Sequence, residues 1–192
     1  MMLQKGIPVR LGTIHGTIFG GPFRNYETGT RRLVGVKMAA EIDHPHEFKV
    51  DTEDFSVPPV KDMQAGLIFA IEALADGNDI YVGCMGGIGR TGLFMGCMAK
   101  TINDFHKTHT GRVPNGLGDP VKWVRANYIP HAIETKAQQA YVQSFDSSPV
   151  LSVVVKLVTP REVIREVRVV EAVYLSPLQW VKDRLVSLSL SR

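Results

Sequence analysis

The residues best equipped for chemistry fall in one stretch, Cys84-Met85-Gly86-Gly87-Ile88-Gly89-Arg90-Thr91-Gly92. Five of the ten residues from Gly83 to Gly92 are glycine. Ile80, Tyr81 and Val82 before them read as a strand, and Leu93 to Lys100 after them read as a helix. A glycine-rich turn running into a helix N-terminus aims several backbone N–H groups at one point, and that suits a phosphate. A cysteine beneath that point is a nucleophile, because electropositive surroundings favour thiolate over thiol. Arg90 adds a planar, two-pronged donor for phosphate oxygens. The stretch therefore predicts a phosphate site with a nucleophile in it. Gly87 to Gly92 also satisfies G-x-G-x-x-G, the dinucleotide fingerprint, but that motif requires a second strand closed by an acid roughly 20 residues on. Thr101 to Asp119 is polar and rich in glycine and histidine, which disfavours that reading. No Gly-Lys-(Ser/Thr) of a Walker loop follows.

Cys84 to Gly92 resembles the Cys-x5-Arg-(Ser/Thr)-Gly signature of the cysteine-dependent protein tyrosine and dual-specificity phosphatases, the compact dual-specificity branch in particular. One departure stands out: the family usually places His before the cysteine, and here Gly83 occupies that position. The resemblance implies an α/β fold with a central, mostly parallel sheet flanked by helices. It implies a phosphocysteine mechanism in which the amides of Met85, Gly86, Gly87, Ile88, Gly89 and Arg90 hold the phosphate. Thr91 would hydrogen-bond the sulfur and ease its departure in the second step. It also implies an acid in a loop of the form Asp-x-x-x-Pro about thirty residues before the cysteine. Asp54 stands thirty before Cys84, with Pro58 in the matching place, and is the expected proton donor; Asp51 is the runner-up and Glu53 third. By composition alone Asp51 to Pro59 is a charged, proline-stiffened surface loop. The pattern Ala132-Ile133-Glu134-Thr135 with Gln138, Tyr141 and Val142 resembles the family's last helix, where a glutamine positions the hydrolytic water. Gln138 is the matching residue, with an ordinary helix-surface role as the alternative.

The elements that must position these groups follow from patterning. Residues 1–32 are glycine-rich, with short strands expected near Val9–Ile14 and Thr17–Phe19. Tyr26 reads as a loop or core aromatic, although Phe23 to Tyr26 has a faint likeness to a substrate-clamping tyrosine loop of larger tyrosine phosphatases. Arg32–Ala39 and Glu47–Val50 read as strands. His44 and His46 between them read as a solvated turn, with no matching ligand cluster for a metal. Val60 to Asp76 carries Met63, Leu67, Ile68, Ile71 and Leu74 at helical spacing, stopped by Gly77 and Asn78. The signature helix is expected from Arg90 to about His106, a further helix over Asp119–Asn127, and another opening at Ala132. Cys97 is expected as a buried structural thiol, with a disulfide to Cys84 as the alternative. The phosphatase-like domain is expected over 1–145, followed by an extension, 146–192, of unassigned role. In that extension Leu151–Val158 reads as a strand, residues 161–175 fit helix or strand, and a last amphipathic helix follows Pro177.

At 192 residues, 44% hydrophobic and 21% charged, the chain is globular rather than disordered. A net charge of +3 fits an anionic substrate and gives no strong nucleic-acid signal. Only two cysteines, no long apolar run and no signal-peptide core point to a cytoplasmic protein without a membrane segment. No cofactor or metal is called for, since Arg90 and the loop amides supply the positive charge. The expected substrate is a phosphoprotein or phosphopeptide. The uncharged residues between Cys84 and Arg90 argue for simple phosphomonoesters, because relatives acting on polyphosphorylated inositol lipids carry lysines there. An RNA 5′-phosphatase and a weak, phosphate-binding pseudophosphatase are the alternatives, and the oligomeric state is left open.

Overall fold

The computed structural model describes residues 6–29 and 32–159. Five strands make one sheet: β1 (Gly6–Leu11), β2 (Ile14–Pro22), β3 (Leu33–Ala39), β4 (Phe48–Thr52) and β5 (Asp79–Cys84). Their order is β1-β2-β5-β3-β4, with β1 antiparallel to β2 and every other pair parallel. The β1–β2 hairpin turns on Gly12, whose φ of 61° belongs to the left-handed region where glycine carries no Cβ penalty. Parallel neighbours on both sides place β5 at the middle of the sheet, so its carboxyl end opens into the crevice where α/β folds bind ligands. Cys84 is the last residue of that strand.

Five helices complete the described fold: α1 (Val60–Ala75), α2 (Gly89–His109), α3 (Pro120–Asn127), α4 (Lys136–Ser144) and α5 (Ser148–Val158). Strand alternation sorts the core into two parts. Ile80, Val82 and Cys84 of β5 belong to the main cluster, together with buried residues from all five helices. Tyr81 points the other way and joins Phe23 and Tyr26 in a small aromatic cluster that contains no residue of α1 to α5; Phe23 belongs to a single 3-10 turn, Phe23–Asn25. Tyr26 stacks on Tyr81 at a centroid separation of 5.5 Å and is buried, so it is a core aromatic. The five α-helices therefore share one face of the sheet, and the segment after β2 covers the other.

Three local expectations are corrected. Leu151–Val158 is the helix α5, not a strand: Val150 and Val154, one turn apart, enter the main core, and this packing overrides the β-branched preference. The compact unit accordingly runs to Val158. The helix expected from Ala132 begins at Lys136. Ile133 has φ 61°, which no helix accommodates, and the Thr135 side chain caps the new start by accepting from Gln138 N–H at 3.1 Å. Finally, β4 runs on to Thr52, which takes Asp51 out of the loop. The elements expected beyond Thr159 lie outside the described residues. Among the described residues, no helix is long and apolar enough to cross a membrane.

Candidate active site

The turn between β5 and α2 is shaped by contacts too close for side chains. A β-carbon on Gly83 would stand 2.6 Å from the Gly21 carbonyl oxygen and 2.9 Å from the Phe23 α-carbon. The backbone of Gly21 and Phe23 thus fills the place that a histidine side chain would need. Gly87, at φ 73°, presses on the same backbone: its β-carbon would lie 2.6 Å from the Gly21 α-carbon. The Tyr128 hydroxyl donates to the Gly87 carbonyl at 2.5 Å from beneath. Burial, and then the charge of Cys84, push that hydroxyl's pKa well up, so it stays a donor.

Around this floor Cys84, the candidate nucleophile, and its partners converge. Cys84 is 4% exposed, and Thr91 Oγ1 donates to its Sγ at 3.2 Å. α2 begins at Gly89, its first helical hydrogen bond runs from Gly92 N–H to Ile88 O, and no side chain caps it. The amides of its opening turn are therefore without intrahelical partners, and the helix dipole adds positive potential. Arg90 is 2% exposed and gripped by the ends of two strands. Nη1 donates to Glu41 Oε2 at 2.7 Å and to the Thr52 carbonyl at 2.9 Å, and Nη2 donates to Glu41 Oε1 at 2.6 Å. Burial is the largest influence on the guanidinium and lowers its pKa, but the Glu41 hydrogen bonds together with the charges of Cys84, Glu41 and Asp54 outweigh it and leave the pKa raised; the Arg90 hydrogen bonds hold Glu41 below its ordinary 4.5. Lys37, buried on β3, donates to the carbonyls of Ala39 at 3.0 Å and Ile42 at 2.9 Å and so fixes the turn that presents Glu41.

The three candidate acids are told apart by geometry. Asp54 Oδ1 lies 3.0 Å from Arg90 Nη2, and its side chain is 62% exposed at the mouth of the site. Asp51 is engaged by Lys49 at 2.8 Å and Lys37 at 3.4 Å, and those cations hold its carboxyl below the usual range. Glu53 lends its carbonyl to Ser56 N–H at 3.2 Å and does not reach the site. A cavity of about 190 Å³ is lined by Asp54, Phe55, Cys84, Met85, Gly86, Ile88, Gly89, Arg90, Glu134 and Gln138. Gly87, expected among the phosphate holders, is not part of the lining and serves as the packed underside. Gln138 is fully buried behind the rim, with its amide bonded on both sides. Cys97 is buried in the main core, where burial pushes its thiol well above the ordinary value; both cysteines are free thiols.

Two residues at the site went unnoticed in sequence. Glu41 follows β3 in an unremarkable Ala-Ala-Glu, and only the fold brings it to Arg90. Glu134 sits inside the Ala-Ile-Glu-Thr pattern, whose likeness points to Gln138 and not to the glutamate. Arg125 holds the carbonyls of Ala132 and Ile133 at 3.0 and 2.9 Å, and the turn it fixes sets the Glu134 carboxylate against Gly89. His44 and His46, by contrast, bond to the carbonyls of Tyr26 and His44 at the far end of the β3–β4 connection. β5 is the last strand among the described residues, which removes the strand–helix–strand unit that the dinucleotide reading required.

No protein-family profile matches the chain. Two uncharacterized proteins of Methanocaldococcus jannaschii are similar in sequence. MJECL20 is 30% identical over 96 residues, 50% of this chain and 56% of its own length. MJ0215 is 30% identical over 93 residues, 48% of this chain and 50% of its own. The chain thus spans about half the length of these relatives. Among solved structures, kinase associated phosphatase with its catalytic-site cysteine replaced by serine superposes with a TM-score of 0.52 at 12% identity, covering 77% of this chain and 96% of that one. The active form of Tk-PTP superposes with a TM-score of 0.49 at 19% identity, covering 76% and 97%. The fold is α/β and phosphatase-like.

Proposed function

We propose that this chain is a phosphomonoester hydrolase that works through a phosphocysteine intermediate and acts on phosphotyrosine or other phosphorylated side chains of proteins. The observation that carries the reading is a convergence. A buried thiol, a clamped arginine, an uncapped helix N-terminus and an exposed carboxyl all border one cavity, and the Thr91 hydroxyl bonds the thiol from behind. Phosphate enters against the loop amides and the Arg90 guanidinium, which stabilise charge on its equatorial oxygens as the transition state forms. Cys84 Sγ attacks phosphorus, the bond to the leaving oxygen breaks, and Asp54 delivers a proton to that oxygen. Asp54 starts on Nη2 of Arg90; the entering phosphate takes its place there, and the carboxyl, taking up a proton from solvent as it leaves the guanidinium, turns toward the leaving group. Asp54, now ionised, then removes a proton from water as the water attacks phosphorus. The S–P bond breaks, and the Thr91 hydroxyl steadies the departing thiolate. Inorganic phosphate leaves and the site is restored.

The rim supports an aromatic leaving group. Phe55 is 61% exposed and Met85 47% exposed, and both line the mouth, offering apolar contact to a ring carrying the phosphate. Two free thiols fit a reducing compartment, and we place the protein in the cytoplasm on that ground. The test is hydrolysis of p-nitrophenyl phosphate in EDTA by wild type and Cys84→Ser, followed by phosphotyrosyl and phosphoseryl peptides. Metal-independent turnover abolished by Cys84→Ser supports the reading. A wild type that binds vanadate yet turns nothing over would make the chain a phosphate-binding module.

A further inference from the structure

We propose that Gln138 is a positioning residue for the proton donor, a latch between the first turn of α4 and the acid loop. The proposal rests on the phosphomonoesterase reading and specifies how its acid half is held in place.

The loop that carries Asp54 has few bonds of its own, and its ion pair to Arg90 Nη2 at 3.0 Å holds only until phosphate takes that place. Ser56 N–H closes a turn on Glu53 O at 3.2 Å, and Asp54 Oδ1 accepts from Phe55 N–H at 3.1 Å. Phe55, the third residue of that turn, has φ 57°, a conformation bulky residues rarely adopt, and its ring is exposed rather than packed. Strain of this kind persists only where the surroundings over-determine it. The hold comes from eighty residues further along the chain. Gln138 Nε2 donates to the Ser56 carbonyl at 3.2 Å, and Thr135 Oγ1 reaches the Phe55 carbonyl at 3.5 Å. Acid, strained residue and tethered carbonyl are consecutive: Asp54, Phe55, Ser56.

Gln138 is built for this task. Its Oε1 accepts from Thr135 N–H at 3.3 Å, completing a reciprocal capping box with Thr135 Oγ1. That bond fixes which end of the amide is oxygen and turns the nitrogen toward Ser56. The side chain is fully buried, so the orientation does not drift with solvent. The latch therefore transmits the position of a rigid helix cap to the carboxyl two residues before Ser56.

The full-length chain tests this with two variants. Gln138→Glu keeps an acceptor for the capping box but has no N–H for Ser56, and Gln138→Ala removes both. The readout is kcat/KM across aryl phosphates, from very acidic phenols that leave unaided to phenol itself, with amide hydrogen exchange at residues 53–57 alongside. A misplaced acid costs most where the leaving group needs its proton. Both variants should lose about 10-fold or more on phenyl phosphate, within the ~10²–10⁴ that a general acid supplies, and under about 3-fold on the most acidic phenol. Exchange at 53–57 should rise. Because kcat/KM ends at phosphoenzyme formation, a glutamine acting only on the hydrolytic water would leave kcat/KM unchanged while lowering kcat and accumulating phosphoenzyme; that result overturns the latch. Equal losses across all leaving groups, or unchanged exchange at 53–57, also overturn it. A wild type with no turnover whose loop nonetheless loosens in both variants would refute the hydrolase reading and leave the latch standing.

Discussion

The two loops that meet at Cys84 are built in opposite ways. The signature turn is held by shape: Gly83 and Gly87 lie against the backbone leaving β2 at distances that exclude any side chain, and Arg90 is clamped at 2% exposure. The acid loop is held by bonds: Asp54 is 62% exposed, Phe55 is strained, and a few hydrogen bonds fix the rest. On the proposed reading the contrast maps onto two tasks. Binding a phosphate rewards dipoles that are already in place and need no reorganisation. Proton transfer asks a carboxyl to release Arg90, reach the leaving oxygen and later face a water, which demands a group free to move on a fixed base.

Four substitutions test this contrast. The largest effect belongs to Cys84→Ser, which should abolish turnover while vanadate still binds, since the pocket is shaped by backbone and not by the thiol. Loss of oxyanion binding in that variant would break the claim that shape holds the site. Asp54→Asn should lower kcat/KM about 10²–10⁴-fold on substrates with poor leaving groups, with phosphate inhibition little changed. A large rise in the phosphate inhibition constant would instead make Asp54 part of the binding half. Glu41→Gln sharpens the contrast further. Freed from its two-pronged clamp, Arg90 should be misplaced enough to lower kcat/KM about 10- to 10²-fold, and the loss should be the same for good and poor leaving groups.

The same pair sets a pH dependence. Glu41 is depressed in the folded state, so its contribution to stability is complete above the ordinary glutamate value of 4.5 and is lost as pH falls through the lower, folded value. Chemical denaturation of wild type and Glu41→Gln should show a gap in stability at neutral pH that closes only in that acid range. The smallest effect belongs to Gly83→Ala, an overpacking of about 1–3 kcal/mol measured by denaturant midpoint. A neutral result there would mean that the β2 backbone yields easily.

What could be read before the fold was known follows the same division. The signature turn is local, so its glycines, thiol and arginine announced themselves within nine residues, and the strand and helix around it were legible from β-formers and helix-formers. Asp54 was reached through a resemblance and a spacing. Glu41 escaped because its partner lies forty-nine residues away and nothing in Ala39-Ala40-Glu41 marks a clamp. The start of α4 is not legible in sequence, because an isoleucine in the left-handed region leaves no trace in composition. α5 was misread because valines one turn apart also satisfy a strand. In each case tertiary contact decided what local preference left open.

The floor of the site also fixes the order in which the site can be made. The glycines that seat the signature turn rest on Gly21 and Phe23, which leave the ribosome some sixty residues ahead of Cys84. Gln138 follows more than fifty residues behind. Synthesis runs from the N-terminus, so the cradle for phosphate can close on the emerging chain before the helix that steadies the acid exists. On the proposed reading, the newborn protein acquires its grip before its proton donor is steadied.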